Sequence, residues 1–89
     1  MSHFYQGLEL LNLTPNPFKV KVTLELRTSV PGLYQFSVMD LSGRILWNAK
    51  EELFENVQKE ISLEQLPAGV YLFAVEKDGK KVTRRLVKN

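Results

Sequence analysis

Apolar residues recur at every second position along most of this chain, and that alternation narrows the fold more than any other feature. A period of two puts successive side chains on opposite faces of an extended strand, so such a segment buries one face and wets the other. Residues 19–28 are the clearest case: Val20, Val22, Leu24 and Leu26 alternate with Lys19, Lys21, Thr23, Glu25 and Arg27. Tyr34, Phe36 and Val38 then alternate with Gln35 and Ser37, and Ile45, Trp47 and Ala49 continue the pattern. Val57, Ile61 and Leu63 suggest another strand, with Lys59 in register with them. Residues 70–75 are apolar on both faces, as expected of a strand inside a sheet. Leu8–Leu13 and residues 81–88 supply a first and a last strand.

The breaks between these segments are turn chemistry. Pro31-Gly32, Ser42-Gly43 and Asp78-Gly79 separate consecutive runs. Asp78-Gly79 predicts a two-residue hairpin of the primed type, because both residues tolerate positive φ. Lys50 to Glu55 has helical propensity but is too short to stand as a helix, and reads as a strand end plus a loop. No long-period repeat stands out. Short strands with turn signals about every 8–12 residues predict an all-β fold, an immunoglobulin-like antiparallel β-sandwich of about seven strands. Its inter-sheet core is expected to hold Val20, Val22, Leu24, Leu26, Phe36, Val38, Ile61, Leu66, Tyr71, Phe73 and Val75.

Eighty-nine residues make one domain, which we place at 8–89, with 1–7 a flexible N-terminal segment or an expression remnant. A chain this short buries about 60–65% of its unfolded surface, enough for one core but not for a deep cleft. It has no cysteine, so neither disulfides nor thiolate chemistry is expected. A net charge of +2 is too small to imply a polyanionic partner. No basic region followed by an apolar stretch opens the chain, so an exported parent would carry its signal further upstream.

Three motifs carry particular physics. Two of the three residues in Pro15-Asn16-Pro17 lack an N–H donor, so the segment cannot lie inside a ladder. It reads as a stiff crossing from one sheet to the other, anchored by Phe18, or as a recognition element. In Asp40-Leu41-Ser42-Gly43-Arg44 the Asp40 carboxylate can accept turn N–H groups while Gly43 takes positive φ. Leu66-Pro67-Ala68-Gly69-Val70-Tyr71 is similar to a tyrosine corner, in which a strand-start tyrosine bonds back to the chain a few residues upstream. There Leu66 plugs the core and Gly69 supplies unusual backbone angles.

Chemistry beyond this is thin. The single histidine is His3, so no Ser-His-Asp set can be assembled around Asp40 and Ser42. Glu51, Glu52 and Glu55 lack the spacing of a calcium loop and read as a solvated acidic patch. The expectations are no enzyme activity, no metal, no cofactor and no small-molecule substrate. Lys77, Lys80, Lys81, Arg84, Arg85 and Lys88 are half of the basic residues. On a terminal strand they discourage edge-to-edge aggregation. Nucleic acid is not the expected partner, since Tyr71 and Phe73, which would stack bases, alternate into the core.

Taken in order, the motifs resemble the C-terminal sorting domain of type IX secretion cargo, found in Bacteroidetes-type bacteria. The resemblance spans residues 8 to 88. Its carriers are Pro15-Asn16-Pro17, Asp40 with Gly43 and Arg44, Leu66 with Gly69 and Tyr71, and the tail Arg84-Arg85-Leu86-Val87-Lys88. It implies a domain read in the periplasm by the type IX translocon. Such a domain directs cargo across the outer membrane to the cell surface or medium and is removed there by a sortase-like peptidase. It further implies recognition through Arg84, Arg85, Leu86, Val87 and Lys88, with Arg84, Arg85 and Lys88 solvent-exposed, and a monomer or weak edge-strand dimer. The pattern overlaps bacterial immunoglobulin-like caps of flagellar hook-assembly type, but these favour Trp-Asp-Gly, and Trp47 is followed here by Asn48-Ala49. The alternative is a structural or carbohydrate-binding module of an extracellular enzyme, which calls for aromatic side chains exposed on one sheet.

Overall fold

The computed structural model describes residues 8–89, with side chains from residue 12 onward; the segment 1–7 and His3 lie outside the described residues. Seven strands follow one another: β1 (Leu8–Thr14), β2 (Lys21–Thr28), β3 (Gly32–Met39), β4 (Ile45–Leu53), β5 (Val57–Ser62), β6 (Gly69–Lys77) and β7 (Lys80–Lys88). They form two antiparallel sheets, β1-β2-β5 and β4-β3-β6-β7. The pattern is the β-sandwich expected from the alternation. The fifty-to-fifty-five stretch resolves as expected, with β4 running to Leu53 and a loop after it.

The core is the sum of the inward-facing alternate positions. Val22, Leu24 and Leu26 of β2, Tyr34, Phe36 and Val38 of β3, and Tyr71, Phe73 and Val75 of β6 are all buried, joined by Ile61, Leu63, Leu66 and Leu86. Trp47 stacks on Phe73 with ring centroids 6.5 Å apart and closes one side. Lys59, in register with this face, reaches the sandwich rim and pairs with Glu51 of the opposite sheet.

Two expectations about faces are corrected. Val20 is 49% exposed rather than in the core. It lies in a bend before β2 begins at Lys21, past the end of the covering sheet, where its carbonyl accepts from Leu63 N at 2.9 Å. Ile45 does not share a face with Trp47 and Ala49. The register shifts between Val38 and Met39, so that Trp47 opposes Val38 while Ile45 opposes Met39 on the outer face. An extra residue in one strand of a pair flips the side chains that follow it.

The sequence contains a short internal repeat that the hydrophobic pattern alone conceals. Gly32-Leu33-Tyr34-Gln35-Phe36-Ser37-Val38 opens β3, and Gly69-Val70-Tyr71-Leu72-Phe73-Ala74-Val75 opens β6. The strands pair antiparallel with Phe36 opposite Val75, Ser37 opposite Ala74 and Val38 opposite Phe73. A local two-fold through the Ser37–Ala74 pair therefore relates the two copies, with each phenylalanine facing the other copy's valine. Each copy carries its own tyrosine corner. Tyr71 Oη donates to Pro67 O, as expected. Tyr34 Oη donates to Val30 O at 2.6 Å. Because Tyr34 has one hydroxyl proton, Thr28 Oγ1 supplies the donor in the bond between those two hydroxyls. The two corners sit at opposite poles of the sandwich.

The β6–β7 hairpin turns through Asp78 and Gly79, with φ of 54° and 79°, the primed geometry that matches strand twist. Tyr34→Phe and Tyr71→Phe are each expected to lower unfolding free energy by about 1–2 kcal/mol. Tyr34→Phe should be the more costly, since it also breaks the bond to buried Thr28 and leaves that hydroxyl only Val30 O, at 3.5 Å. Urea titration of both single variants and the double variant checks this, with additivity within about 0.5 kcal/mol for sites this far apart.

Candidate functional site

The register brings the motif residues together at one pole. Met39 opposes both Ile45 and Leu72, and Leu72 opposes Arg85. The Asp40–Arg44 turn, the start of β6 at Gly69 and the end of β7 therefore share one end of the four-stranded sheet. Leu8, where the described chain begins, pairs with Thr28 at the other end of the three-stranded sheet.

Pro15-Asn16-Pro17-Phe18 does not cross between sheets as expected, because β1 and β2 are neighbours in the same sheet. The segment instead swings out and lies along β7 of the opposite sheet. Asn16 Nδ2 donates to Arg85 O at 2.9 Å, and Asn16 Oδ1 accepts from Val87 N at 2.9 Å. One amide side chain thus imitates a backbone ladder partner. Phe18 continues the edge: its N donates to Val87 O and its O accepts from Asn89 N, both at 2.9 Å. The two prolines, which have no N–H to leave unsatisfied, flank the one side chain able to make this pair. Phe18 is fully buried, so the anchor role holds.

Lys88 is the residue whose setting departs most from expectation. It is 9% exposed, not a solvent-facing charge. Its position faces inward, opposite Gly69. Its ammonium donates to Leu63 O at 2.9 Å, Glu64 O at 3.0 Å and Leu66 O at 2.6 Å. An ammonium has three N–H donors, and here each meets a carbonyl. Nζ also stands 5.9 Å from the Phe18 ring centroid, over its electron-rich face. The carbonyls come from the loop leading into Pro67-Ala68-Gly69, so one side chain ties the last strand to the tyrosine-corner segment. Leu86 is likewise fully buried, Val87 is half-buried, and Arg84 and Arg85 are exposed. Arg84 bonds its neighbour's carbonyl, Thr83 O.

Gly69 takes a positive φ of 157°, the unusual backbone angle expected of it and one that L side chains rarely adopt, although a Cβ there would make only ordinary contact with the Tyr71 ring at 3.8 Å. The Asp40 turn follows expectation. Its Oδ1 accepts from Ser42 N at 3.0 Å, Ser42 Oγ at 2.6 Å and Arg44 N at 3.0 Å, while Gly43 takes φ of 95°. The hydrogen bond from the Ser42 hydroxyl, then that from the Arg44 backbone, holds the Asp40 carboxyl below its ordinary value.

The Lys88 clamp could have been sought in the sequence only as a lysine at an inward register position. The Asn16 pair left no signal beyond the prolines around it. A family model described as "Secretion system C-terminal sorting domain" matches residues 12–89. Comparison with curated proteins finds no match.

Two outcomes are expected. Lys88→Met removes the ammonium donor from Glu64 O and buried Leu66 O, and one of two donors from Leu63 O, and should cost about 1–3 kcal/mol, whereas Arg84→Gln and Arg85→Gln should stay within about 0.5 kcal/mol, read from urea midpoints. For Asp40, the folded pKa is depressed, so its contribution is present above the unfolded value of about 4 and is lost as pH falls through the folded value. The difference in stability between the wild-type protein and Asp40→Asn should therefore be flat at neutral pH and shrink in acid, measured by denaturation across pH.

Proposed function

The chain belongs to the family of secretion system C-terminal sorting domains, and from that premise we propose that its motif pole is what the secretion machinery reads. The domain is a type IX C-terminal sorting signal: it directs attached cargo across the outer membrane, interacts with the type IX machinery, and leads to export to the cell surface or the extracellular space. The observation that carries the proposal is the convergence of two distant segments on the last strand. Asn16 and Phe18 hold its edge, and Lys88 ties its end to the loop before Tyr71.

Within the tail the roles divide by exposure. Arg84 and Arg85 stand in solvent and contact the machinery, with half-buried Val87 beside them. Leu86 and Lys88 act one step removed, by holding the strand that presents the arginines. Cargo passes through the periplasm with this domain folded, and a sortase-like peptidase removes the domain at the surface. The domain works as a monomer, a reading supported by the Asn16–Phe18 segment occupying the end of the β7 edge. It performs no catalysis and holds no metal or cofactor. Ser42 Oγ is engaged by Asp40 within a tight turn, which leaves it no partner for nucleophilic chemistry.

A carbohydrate-binding role would call for an exposed aromatic platform. Among the described residues Phe18, Tyr34, Phe36, Tyr71 and Phe73 are buried and Trp47 packs on the core, while Phe54 stands exposed alone. That alternative is not favoured.

A passenger with a Sec signal, ending in residues 8–89, should reach the surface or medium of a type IX-competent host. The Arg84→Gln/Arg85→Gln variant, folded by circular dichroism, should accumulate in the periplasm. Normal export of that variant would reduce the arginines to edge protection, and periplasmic retention of the unaltered fusion would sink the reading. Calorimetric titration of the domain with zinc or calcium should show no saturable binding.

A further inference from the structure

The outer face of the four-stranded sheet is graded along its strands. Near the end away from the motifs a row across the sheet reads Lys50, Gln35, Glu76 and Lys81. The middle row reads Asn48, Ser37, Ala74 and Thr83. At the motif pole it reads Ile45, Met39, Leu72 and Arg85. Val70 and Val87 form the adjoining outward pair on β6 and β7. Ser37 and Ala74 of the middle row are buried, whereas at the motif pole Ile45 is 52% exposed and Met39, Leu72, Val70 and Val87 are partly exposed, so this apolar group is not enclosed in the sandwich interior. Outer faces of antiparallel sheets meet water and carry polar side chains by default. An apolar row on such a face, rimmed by charge, marks a contact surface.

We propose that this row is the docking surface through which a protein of the type IX machinery binds the folded domain, and that the partner presents an apolar strip flanked by carboxylates. The proposal rests on the sorting function and assigns it a surface. The partner's chemistry follows from charge. The row ends at Arg85, whose guanidinium has no hydrogen-bond or ion-pair partner among the described residues. Its turn carries a second exposed cation, Arg44, held only at 3.4 Å by Asp40. At this pole the Asp40 carboxylate is engaged by its own turn, and the other carboxylates of the face, Glu76 and Glu52, stand toward the opposite end of the sheet. A second copy meeting it pole to pole would bring arginines to arginines. An acidic partner completes both the apolar row and the arginines, and arginine beside apolar area is what interface centres favour. Leu8, where the described chain begins, stands at the opposite pole. The assignment separates two roles at one pole. The inward residues Leu86 and Lys88 make the strand stay, and the outward residues are what a partner touches.

The test uses the full chain fused to a Sec-directed passenger in a type IX-competent host. Ile45→Glu and Arg85→Glu alter the surface at exposed sites. Leu33→Glu and Phe54→Glu add the same charge at exposed apolar sites, 57% and 71% accessible, away from the motif pole. Exported fraction is measured with thermal melting of each purified variant. Ile45→Glu and Arg85→Glu are expected to reduce export about tenfold with melting unchanged, the controls less than about twofold. If Ile45→Glu does not fold, Ile45→Ser with Arg85→Glu serves in its place. Normal export of the folded surface variants, or an equal loss in the controls, overturns the surface while leaving the sorting function standing. Retention of the unaltered fusion overturns the function itself and this surface with it. Sedimentation velocity reads the remaining occupant: a dimer abolished by Arg85→Glu would make the partner a second copy and refute the machinery assignment.

Discussion

The last strand has one ladder partner, and the rest of the sandwich depends on its staying in place. β7 pairs with β6 alone, yet its Leu86 is fully buried and its removal would uncover Tyr71 and Phe73. A small domain has little stability to spare, so such an edge cannot be left to fray. Three devices close it. The Asn16 side chain supplies a donor and an acceptor in place of a neighbouring strand, Phe18 adds two backbone bonds, and the Lys88 ammonium holds three carbonyls of the loop beneath. A buried ammonium is costly unless its protons are all satisfied, and here the fit is one proton to one carbonyl. The result is a strand end fixed by side chains more than by its ladder.

This arrangement explains why motifs far apart in sequence belong together. Pro15-Asn16-Pro17, the loop before Tyr71 and the final lysine make one clasp. Tyr71 Oη fixes the path of that loop through Pro67, and the loop's carbonyls are then aimed at Lys88. Gly69 opposite Lys88 completes the end of the ladder. A change in any of these members is felt by the others, because Asn16 and Phe18 bond the backbone of β7, whose Lys88 in turn holds the loop that Tyr71 fixes. The same local two-fold that relates β3 to β6 gives the opposite pole a tyrosine corner at Tyr34, where the Asn56 side chain accepts from Thr28 N at 2.9 Å.

Much of the fold was legible in the sequence for a simple reason. Burial alternates with strand geometry, so Val22, Leu24, Leu26, Phe36, Val38, Phe73 and Val75 could be placed inside from spacing alone. Asp78-Gly79 and Asp40 with Gly43 carry their geometry in their own side chains and backbones. What escaped was anything decided by where a strand stops. Val20 keeps the alternation but lies beyond the sheet, and Ile45 keeps it but follows a register shift. The path of Asn16 depends on a strand some seventy residues later in the chain. Lys88 looked like a surface charge because sequence says nothing of three carbonyls arriving from another loop. The second tyrosine corner was readable as a repeated Gly-x-Tyr-x-Phe-x-Val, but only once the two copies were seen to face each other.

The division between inward and outward residues at the motif pole bears on how a sorting signal of this kind can be read. A linear tag would present its informative side chains to solvent. Here Leu86 and Lys88, which alternate with Arg85 and Val87, point into the sandwich and cannot be touched without unfolding it. A partner meeting the folded domain therefore sees Arg85 and Val87 together with Leu72 and Met39 from neighbouring strands, a pattern that exists only in the assembled sheet. Binding to that pattern is linked to folding: a partner that recognises the native face and not the open chain stabilises the native state by mass action. The clasp then has a functional consequence beyond stability. By holding β7 in register, it keeps the arginine aligned with the apolar row, so the proposed docking surface exists only in the folded domain.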